Sequence, residues 1–129
     1  MLLHLDFACD IPIYKQIRDQ IVLGIADGHL AAGEKLPTIR ALANETGVNI
    51  MTINKAYQLL KHEGYITADR RGGTIVSGVN ASLPVETVLE GLKAPAASAK
   101  LSGVSREIWL VLCAQAYDIL HNNNEERGY

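Results

Sequence analysis

The sequence predicts a mainly α fold with a small β-hairpin, which places the chain in the α+β class. Apolar residues recur at every third or fourth position in several segments, which is the spacing of amphipathic helices. Between residues 65 and 77 the pattern changes to strand formers on either side of a glycine turn. The chain has 129 residues, 48% of them hydrophobic, enough for one small domain and an appendage. We therefore expect a domain at residues 1–78 and an arm at residues 79–129.

The first helix is expected to begin after Asp10, which can cap it, with Pro12 in the first turn and an end near Gly28. Its apolar face repeats every four residues, at Ile13, Ile17, Ile21 and Ile25. The ten residues before this helix are interpreted as a loose arm.

Two helices joined by a short turn are expected next. Thr38 can cap a helix whose apolar side is Ile39, Leu42 and Ala43, and residues 30–37 before it form a turn-bearing connection that has room for a brief strand. Gly47 can take the positive φ that ends this helix, and Asn49 can cap the following one. Two helices joined by so short a turn form a helix-turn-helix.

The helix after Asn49 has two different faces. Its apolar stripe consists of Ile53, Ala56, Tyr57 and Leu60. The opposite face carries side chains that can touch methyl groups, hydrogen-bond to base edges or pair with phosphates, namely Met51, Thr52, Asn54, Lys55 and Gln58. Alone, this segment fits an ordinary amphipathic surface helix, but its place as the second helix of a helix-turn-helix favours a DNA recognition helix.

A β-hairpin with a basic tip is predicted after Gly64. Its strands are residues 65–68 and 74–77, and its turn is Asp69-Arg70-Arg71-Gly72-Gly73. A hairpin directly after a helix-turn-helix makes a winged helix. The glycines could instead cradle the phosphates of a nucleotide, but they lack the spacing and the following helix that such loops need.

The charge distribution suits a local phosphate contact surface. The formal net charge is −2, yet six basic and three acidic residues lie between Lys35 and Arg71, whereas four basic and six acidic residues follow Asn80. The low overall charge keeps a second class open, a winged helix that binds protein rather than DNA.

The C-terminal arm is expected to contain two helices. Ser82 can cap the first, with Pro84 in its first turn, and the apolar stripe is Val85, Val88, Leu89, Leu92, Ala96 and Ala99. Pro95 removes the hydrogen bond to the carbonyl of Gly91, which predicts either a kink or two shorter helices.

The last helix, capped by Ser105, is apolar on every face between Ile108 and Ala114, and the polar residues from His121 onward are expected to fray. Such a helix must be covered on more than one side, and we expect a second copy of the chain to cover it. The fold class is therefore a winged helix-turn-helix followed by a two-helix C-terminal dimerisation arm. Its expected interface residues are Val88, Leu92, Ile108, Trp109, Leu112 and Ala116.

No cofactor or enzymatic site is predicted. Cys9 and Cys113 lie far apart and the four histidines are scattered, so we expect two reduced, buried thiols and no metal site. No nucleophile, base and orienting group have the spacing of a catalytic triad. The absence of a signal peptide and of an apolar run of about 20 residues indicates a cytoplasmic protein.

Six motifs in order resemble the N-terminal domain of GntR-family bacterial transcription regulators. They are the stretches at residues 12–17, 33–40, 47–49, 52–57, 63–66 and 73–74. The two-helix tail, with Gly103-Val104-Ser105 between its helices, resembles the small YtrA-type branch, in which it serves for dimerisation. The resemblance implies a sequence-specific regulator, a homodimer on a palindromic DNA operator, which we expect to act as a repressor.

The resemblance also implies DNA-binding positions. Together with the recognition-helix face and the basic tip, the predicted set is Thr38, Arg40, Asn49, Met51, Thr52, Asn54, Lys55, Arg70, Arg71, Gly73 and Thr74. Ile50 and Met51 stand where polar residues are common in the family, which favours contact with thymine methyl groups. Lys55 replaces a frequent arginine, and the wing tip is one residue shorter than usual. The sequence identifies no inducer. We expect no deep effector cavity within one subunit, and any inducer should bind between subunits or between the arm and the winged helix.

Overall fold

The computed structural model describes residues 3–78 and 84–126, with side chains up to residue 120. In these ranges the helices are α1 (Ile13–Ala26), α2 (Ile39–Thr46), α3 (Ile50–Glu63), α4 (Val85–Leu101) and α5 (Arg106–Glu126). The strands β1 (Ile66–Ala68) and β2 (Thr74–Val76) lie between α3 and α4. The chain separates into two compact units, Met1–Ser82 and Leu83–Tyr129, and each is described by itself.

The core of the first unit forms where α1 and α2 both pack against α3. The predicted four-residue repeat of α1 is confirmed, because Ile17 and Ile21 are fully buried and Ile13 and Ile25 pack at the edge of the core. The stripe of α3 is confirmed in the same way. Its buried members are Ile53, Ala56, Tyr57 and Leu60.

The start of α1 differs from the prediction. Pro12 itself is the N-cap residue, with φ −55° and ψ 144°, and its carbonyl accepts from the amides of Lys15 and Gln16. Asp10 therefore does not cap the helix. The extended conformation that the proline ring favours already sets the chain direction at the N-cap, and the helix has no side-chain cap.

The described residues before α1, from residue 3 onward, are fixed rather than loose. The buried side chain of Gln16 accepts from the amide of Asp6 at 2.9 Å and donates to the carbonyl of Ile11 at 2.8 Å. Leu3 and Leu5 pack against the core. Cys9 in this segment is exposed and Cys113 is half-buried, so the expectation of two buried thiols is wrong.

Side-chain caps fix the helix-turn-helix as predicted. The Thr38 Oγ1 accepts from the amide of Ala41 at 3.0 Å, and the Asn49 Oδ1 accepts from the amide of Met51 at 2.8 Å. Between them, Gly47 has φ 74°, a conformation that costs glycine little, and Val48 is buried in the turn. The start of the recognition helix is thereby set by local chemistry.

The wing is an antiparallel hairpin in which Ile66 pairs with Val76 and Ala68 with Thr74. Residues 33–36 run along the outer side of β2. The amide of Gly33 donates to the Val76 carbonyl, and the Val76 amide donates to the backbone carbonyl of Glu34. The Leu36 amide donates to the backbone carbonyl of Thr74, and all three distances are within 2.9 Å. The connection before α2 is therefore part of the wing.

In the second unit, α4 runs continuously from Val85 through Pro95 to Leu101. The alternative of two shorter helices is therefore wrong. The alanines that flank Pro95 are the strongest helix formers, and they favour continuation on both sides of the lost hydrogen bond. Pro84 is the N-cap residue rather than a first-turn residue, and the predicted cap Ser82 lies outside the described residues.

Helix α5 begins as predicted, since the Ser105 Oγ accepts from the amide of Ile108 at 3.2 Å. It continues past His121 to Glu126, farther than the expected fraying point. Its large apolar side chains are open to solvent within the described chain. Ile108, Leu110, Val111 and Leu112 are each 46–56% exposed, and Tyr117 and Ile119 are more exposed still.

Candidate nucleic-acid interface

The starts of α2 and α3 and the beginning of β2 enclose one concave surface of about 520 Å³. Six of the predicted DNA-binding residues line it, together with Ile39 and Ile50; these six are Thr38, Arg40, Met51, Asn54, Gly73 and Thr74. The three segments that carry them are far apart in the sequence. The fold therefore brings the helix-turn-helix and the wing to one site.

The other five predicted residues lie outside this lining. Asn49 is the N-cap of α3, and its side-chain oxygen is engaged by the amide of Met51. Thr52 is half-buried and Lys55 exposed on the same helix, whereas Arg70 and Arg71 are exposed at the tip of the wing. These five residues lie on α3, at its N-cap or at the wing tip, and they do not line the concave surface.

The recognition helix presents apolar groups at its exposed beginning. Met51 is 69% exposed and Ile50 is 44% exposed, although both are large apolar residues. Asn54, one turn further along, supplies an amide that can both donate and accept hydrogen bonds. This combination suits the thymine methyl group and a neighbouring base edge in the major groove of DNA.

The cations of this region keep their charge available. Among the described residues the ion pairs join Arg18 to Asp19 and Glu63, Lys93 to Glu90, and His29 to Asp27. None of the described ion pairs uses the predicted DNA-binding cations, which are Arg40, Lys55, Arg70 and Arg71. Cations without an internal carboxylate partner favour an anionic partner.

Lys35 lies against the wing, a contact that the sequence did not indicate. The backbone of Lys35 forms an isolated antiparallel β-bridge with Ile75, the middle residue of β2. A Cβ atom built on Gly73 would lie 2.8 Å from the Cε of Lys35, so the lysine stem crosses the wing turn at close range. Lys35 contributed to the basic balance of the sequence, but its pairing with the wing is a tertiary contact that no local pattern reveals.

A bidentate ion pair joins α1 to the end of the recognition helix. The Arg18 Nε and Nη2 donate to the two carboxylate oxygens of Glu63 at 2.9 and 2.6 Å, which ties α1 to the last residue of α3. This hydrogen bonding to Glu63 raises the pKa of Arg18 above its ordinary value, against the opposing effect of burial. Both side chains are mostly shielded from solvent.

A buried tyrosine connects the recognition helix to the start of α2. The hydroxyl of Tyr57 donates to the carbonyl of Pro37 at 2.7 Å, next to the cap residue Thr38. Burial raises the pKa of Tyr57 to about 12. The phenol therefore stays protonated at neutral pH and can serve as this donor.

A second concavity of about 500 Å³ lies on the first unit. It is lined by Leu3, His4, Gln20, Leu23, Gly24, Asp27, His29, Leu30 and Glu34. This volume is within the range of small-molecule sites, so one subunit has more concave volume than we expected. It is an open groove, because His4, Leu23, His29 and Glu34 are exposed.

A helix-turn-helix followed by a hairpin wing, with exposed cations that no described carboxylate pairs, is typical of the DNA-binding class of this fold. Consistent with that class, the model of "Bacterial regulatory proteins, gntR family" matches residues 13–76. The chain is 34% identical to the HTH-type transcriptional repressor YtrA of Bacillus subtilis over 110 residues, 82% of this chain and 85% of YtrA. The chain belongs to the GntR family.

Other relatives share a smaller part. The HTH-type transcriptional regulator Rv1152 of Mycobacterium tuberculosis is 35% identical over 75 residues, and the chain covers 62% of its length. The family and these relatives are regulatory proteins rather than enzymes.

Solved structures extend the similarity to nearly the whole chain. A transcriptional antiterminator of Listeria monocytogenes EGD-e has a TM-score of 0.81 at 27% identity, covering 93% of this chain and 92% of that chain. YtrA of Sulfolobus acidocaldarius, a GntR-family transcription factor, has a TM-score of 0.57 at 34% identity, covering 92% and 99%. The DNA-binding domain of AraR in complex with operator ORX1 has a TM-score of 0.52 at 28% identity, covering 60% and 96%.

None of the helices in the described ranges is long and apolar enough to cross a membrane. In the same ranges, no three His, Cys, Asp or Glu side chains are grouped so that they could hold a metal ion.

Proposed function

We propose that this protein is a homodimeric, sequence-specific transcription regulator that represses by binding a palindromic operator. The observation that carries the proposal is the concave surface between the helix-turn-helix and the wing, which gathers Arg40, Met51 and Asn54. The AraR DNA-binding domain, which resembles 60% of this chain, was crystallised with an operator. The B. subtilis relative YtrA is a transcriptional repressor.

The site divides into base contacts and phosphate contacts. We assign base reading to Asn54, Met51 and Arg40, because all three line the concave surface. Met51 and Asn54 lie in the first turns of the recognition helix, and Arg40 lies in the first turn of α2. The cations Lys35, Lys55, Arg70 and Arg71 are assigned to the DNA backbone, since they are exposed, do not line this surface and have no carboxylate partner among the described residues. Phosphate contacts fix the register, and base contacts supply the sequence preference.

Thymine substitution tests the reading of methyl groups. An operator selected from random duplexes by the wild-type protein would be resynthesised with deoxyuridine at single thymines, which removes only the C5 methyl group. At the thymine beside Met51 we expect affinity to fall about fourfold, corresponding to about 0.8 kcal/mol for one buried methyl-sized group. Met51→Ala should bind the thymine and deoxyuridine duplexes equally, and a fourfold difference that persists in this variant would remove Met51 from the assignment.

We assign the second unit, residues 79–129 in the predicted division, to dimerisation. Trp109, Cys113 and Leu120 are the less exposed residues on one side of α5. Beside them, Ile108, Leu112 and Ile119 form a stripe at helical spacing that is 46–60% exposed. The proposed interface combines this stripe with Ala116, Trp109 and the exposed Val88 and Leu92 of α4.

A dimer joins two recognition helices to the two half-sites of a palindrome, whose centres lie about 10–10.5 base pairs apart or multiples of that distance. Repression then follows when the bound operator overlaps a promoter. Such a regulator acts in the cytoplasm, where the bacterial chromosome lies.

A mobility-shift experiment at low salt, with the promoter of its own operon, tests the central proposal against the second class. A DNA regulator should retard this promoter at nanomolar concentration and lose affinity as salt rises. A winged helix that binds only protein should give no retardation above that of a duplex of random sequence. The latter result would refute the DNA-binding function.

A further inference from the structure

Lys55 on the recognition helix lies over the aromatic ring of Tyr14 on α1. The Lys55 Nζ is 4.1 Å from the ring centroid, within the range of about 6 Å for a cation–π contact. Tyr14 is half-buried and packs against the core, whereas Lys55 is exposed. The ring is therefore held by the fold, and the lysine is the flexible partner.

This contact restricts Lys55 without neutralising it. Within the described residues no carboxylate pairs with Lys55, so its full positive charge remains available to an outside anion. An ammonium group has three donors, and a ring on one side leaves donors free on the other side. A lysine that already has a restricted position also loses less side-chain entropy when a phosphate binds it.

We propose that Tyr14 is a positioning residue for DNA binding, whose ring holds the charged Lys55 ammonium on the α1 side of the recognition helix to meet a backbone phosphate. Lys55 is absent from the lining of the concave surface that carries the base-reading residues, which agrees with a phosphate contact. This inference rests on the proposed function, because it assigns a role within the same site.

A second pair of the same type provides a matched control. The Arg18 guanidinium lies over the ring of Tyr65, 5.5 Å from its centroid. In contrast to Lys55, Arg18 is bound to Glu63 and Asp19 and has its charge satisfied inside the protein. Tyr65 is also half-buried and packs against the core. Tyr65→Leu therefore makes the same chemical change without touching a cation of the DNA site.

The experiment compares Tyr14→Leu, Tyr14→Phe and Tyr65→Leu in the full chain, on an operator selected with the wild-type protein. Tyr14→Leu should bind roughly threefold more weakly for each half-site, or about tenfold for the whole operator. Tyr14→Phe keeps the ring and should bind like wild type. Tyr65→Leu should also bind like wild type at a temperature at which all variants are folded by circular dichroism.

Salt dependence and a double variant separate positioning from charge. Lys55→Met should lower the log–log salt slope by about one for each half-site, whereas Tyr14→Leu should leave the slope unchanged because the charge remains. In the Lys55→Met background, Tyr14→Leu should have no further effect on affinity. An additional loss in that background, or a loss in Tyr14→Phe as large as in Tyr14→Leu, would overturn the proposal.

NMR of the protein without DNA tests the contact itself. The ε-methylene protons of Lys55 should be shifted upfield by the ring in wild type and Tyr14→Phe, and not in Tyr14→Leu. Unshifted protons in wild type would overturn the contact even if DNA binding occurs. If wild type binds no duplex, the proposed function fails together with the DNA role of Tyr14, and the upfield shift then shows the ring contact alone.

Discussion

The wing turn offers a matched pair of substitutions, Gly73→Ala and Gly72→Ala, for testing the role of Lys35. Both glycines have positive φ, 85° and 93° respectively, so an alanine at either position is strained by about 1–2 kcal/mol. The two positions differ in their surroundings. A Cβ atom on Gly73 would lie 2.8 Å from the Cε of Lys35, whereas a Cβ on Gly72 meets nothing within 4 Å.

The structure therefore predicts equal losses of stability but unequal losses of DNA affinity. Carbon atoms pack at about 3.5–4.0 Å, so the end of Lys35 must move by roughly 1 Å in Gly73→Ala. If the lysine loses one exposed phosphate contact, worth about 0.5–1 kcal/mol, affinity should fall about twofold to fivefold further for each half-site than in Gly72→Ala. Each kcal/mol of strain should lower Tm by roughly 4–8 °C in both variants.

Thermal unfolding and fluorescence anisotropy with a labelled operator would measure these two effects. Both substitutions should also be made in Lys35→Met, where the difference in affinity between Gly73→Ala and Gly72→Ala should disappear. Equal affinities of the two alanine variants in the wild-type background would refute the assignment of Lys35 to the DNA contact. A difference that survives in Lys35→Met would show that another feature of the turn causes it.

Three further perturbations probe the arm and the support of the recognition helix. Leu112→Asp would bury an unpaired carboxylate in the proposed dimer interface at a cost of several kcal/mol and should give monomer or aggregate by sedimentation. Leu101→Asp, which changes an exposed residue outside the predicted interface set, should remain a dimer. Folding raises the pKa of Tyr57 from 10.0 to about 12, so the unfolded chain loses this proton at a lower pH than the folded protein. The free energy of unfolding should therefore be unchanged below pH 10 and fall by roughly 2–3 kcal/mol by pH 12. Chemical denaturation should show this decline in the wild type and not in Tyr57→Phe. Arg18→Met should lower the free energy of unfolding in urea by about 1–3 kcal/mol, because it leaves the shielded Glu63 carboxylate unpaired, and a change below 0.5 kcal/mol would contradict this.

Local physical chemistry explains what the sequence predicted correctly. The spacing of Ile17 and Ile21, and of Ile53 and Leu60, defines helix faces because an α-helix repeats every 3.6 residues, and these residues are buried. The caps at Thr38 and Asn49 involve residues only two or three positions apart, so they can be read directly from the chain. The predictions that failed at the starts of α1 and α4 gave the N-cap to a preceding Asp or Ser and placed the proline in the first turn, whereas Pro12 and Pro84 are themselves the N-cap residues.

Only the tertiary structure decided the composition of the site around these elements. The contacts of Arg18 with Glu63 and of Lys55 with Tyr14 each join residues about 40 positions apart, and so does the pairing of residues 33–36 with β2. Such contacts depend on how the helices pack, and that is determined by the whole core rather than by any segment. The sequence by itself therefore determined the helices, the hairpin and the family, whereas packing decided which ring restricts Lys55 and which lysine lies on the wing.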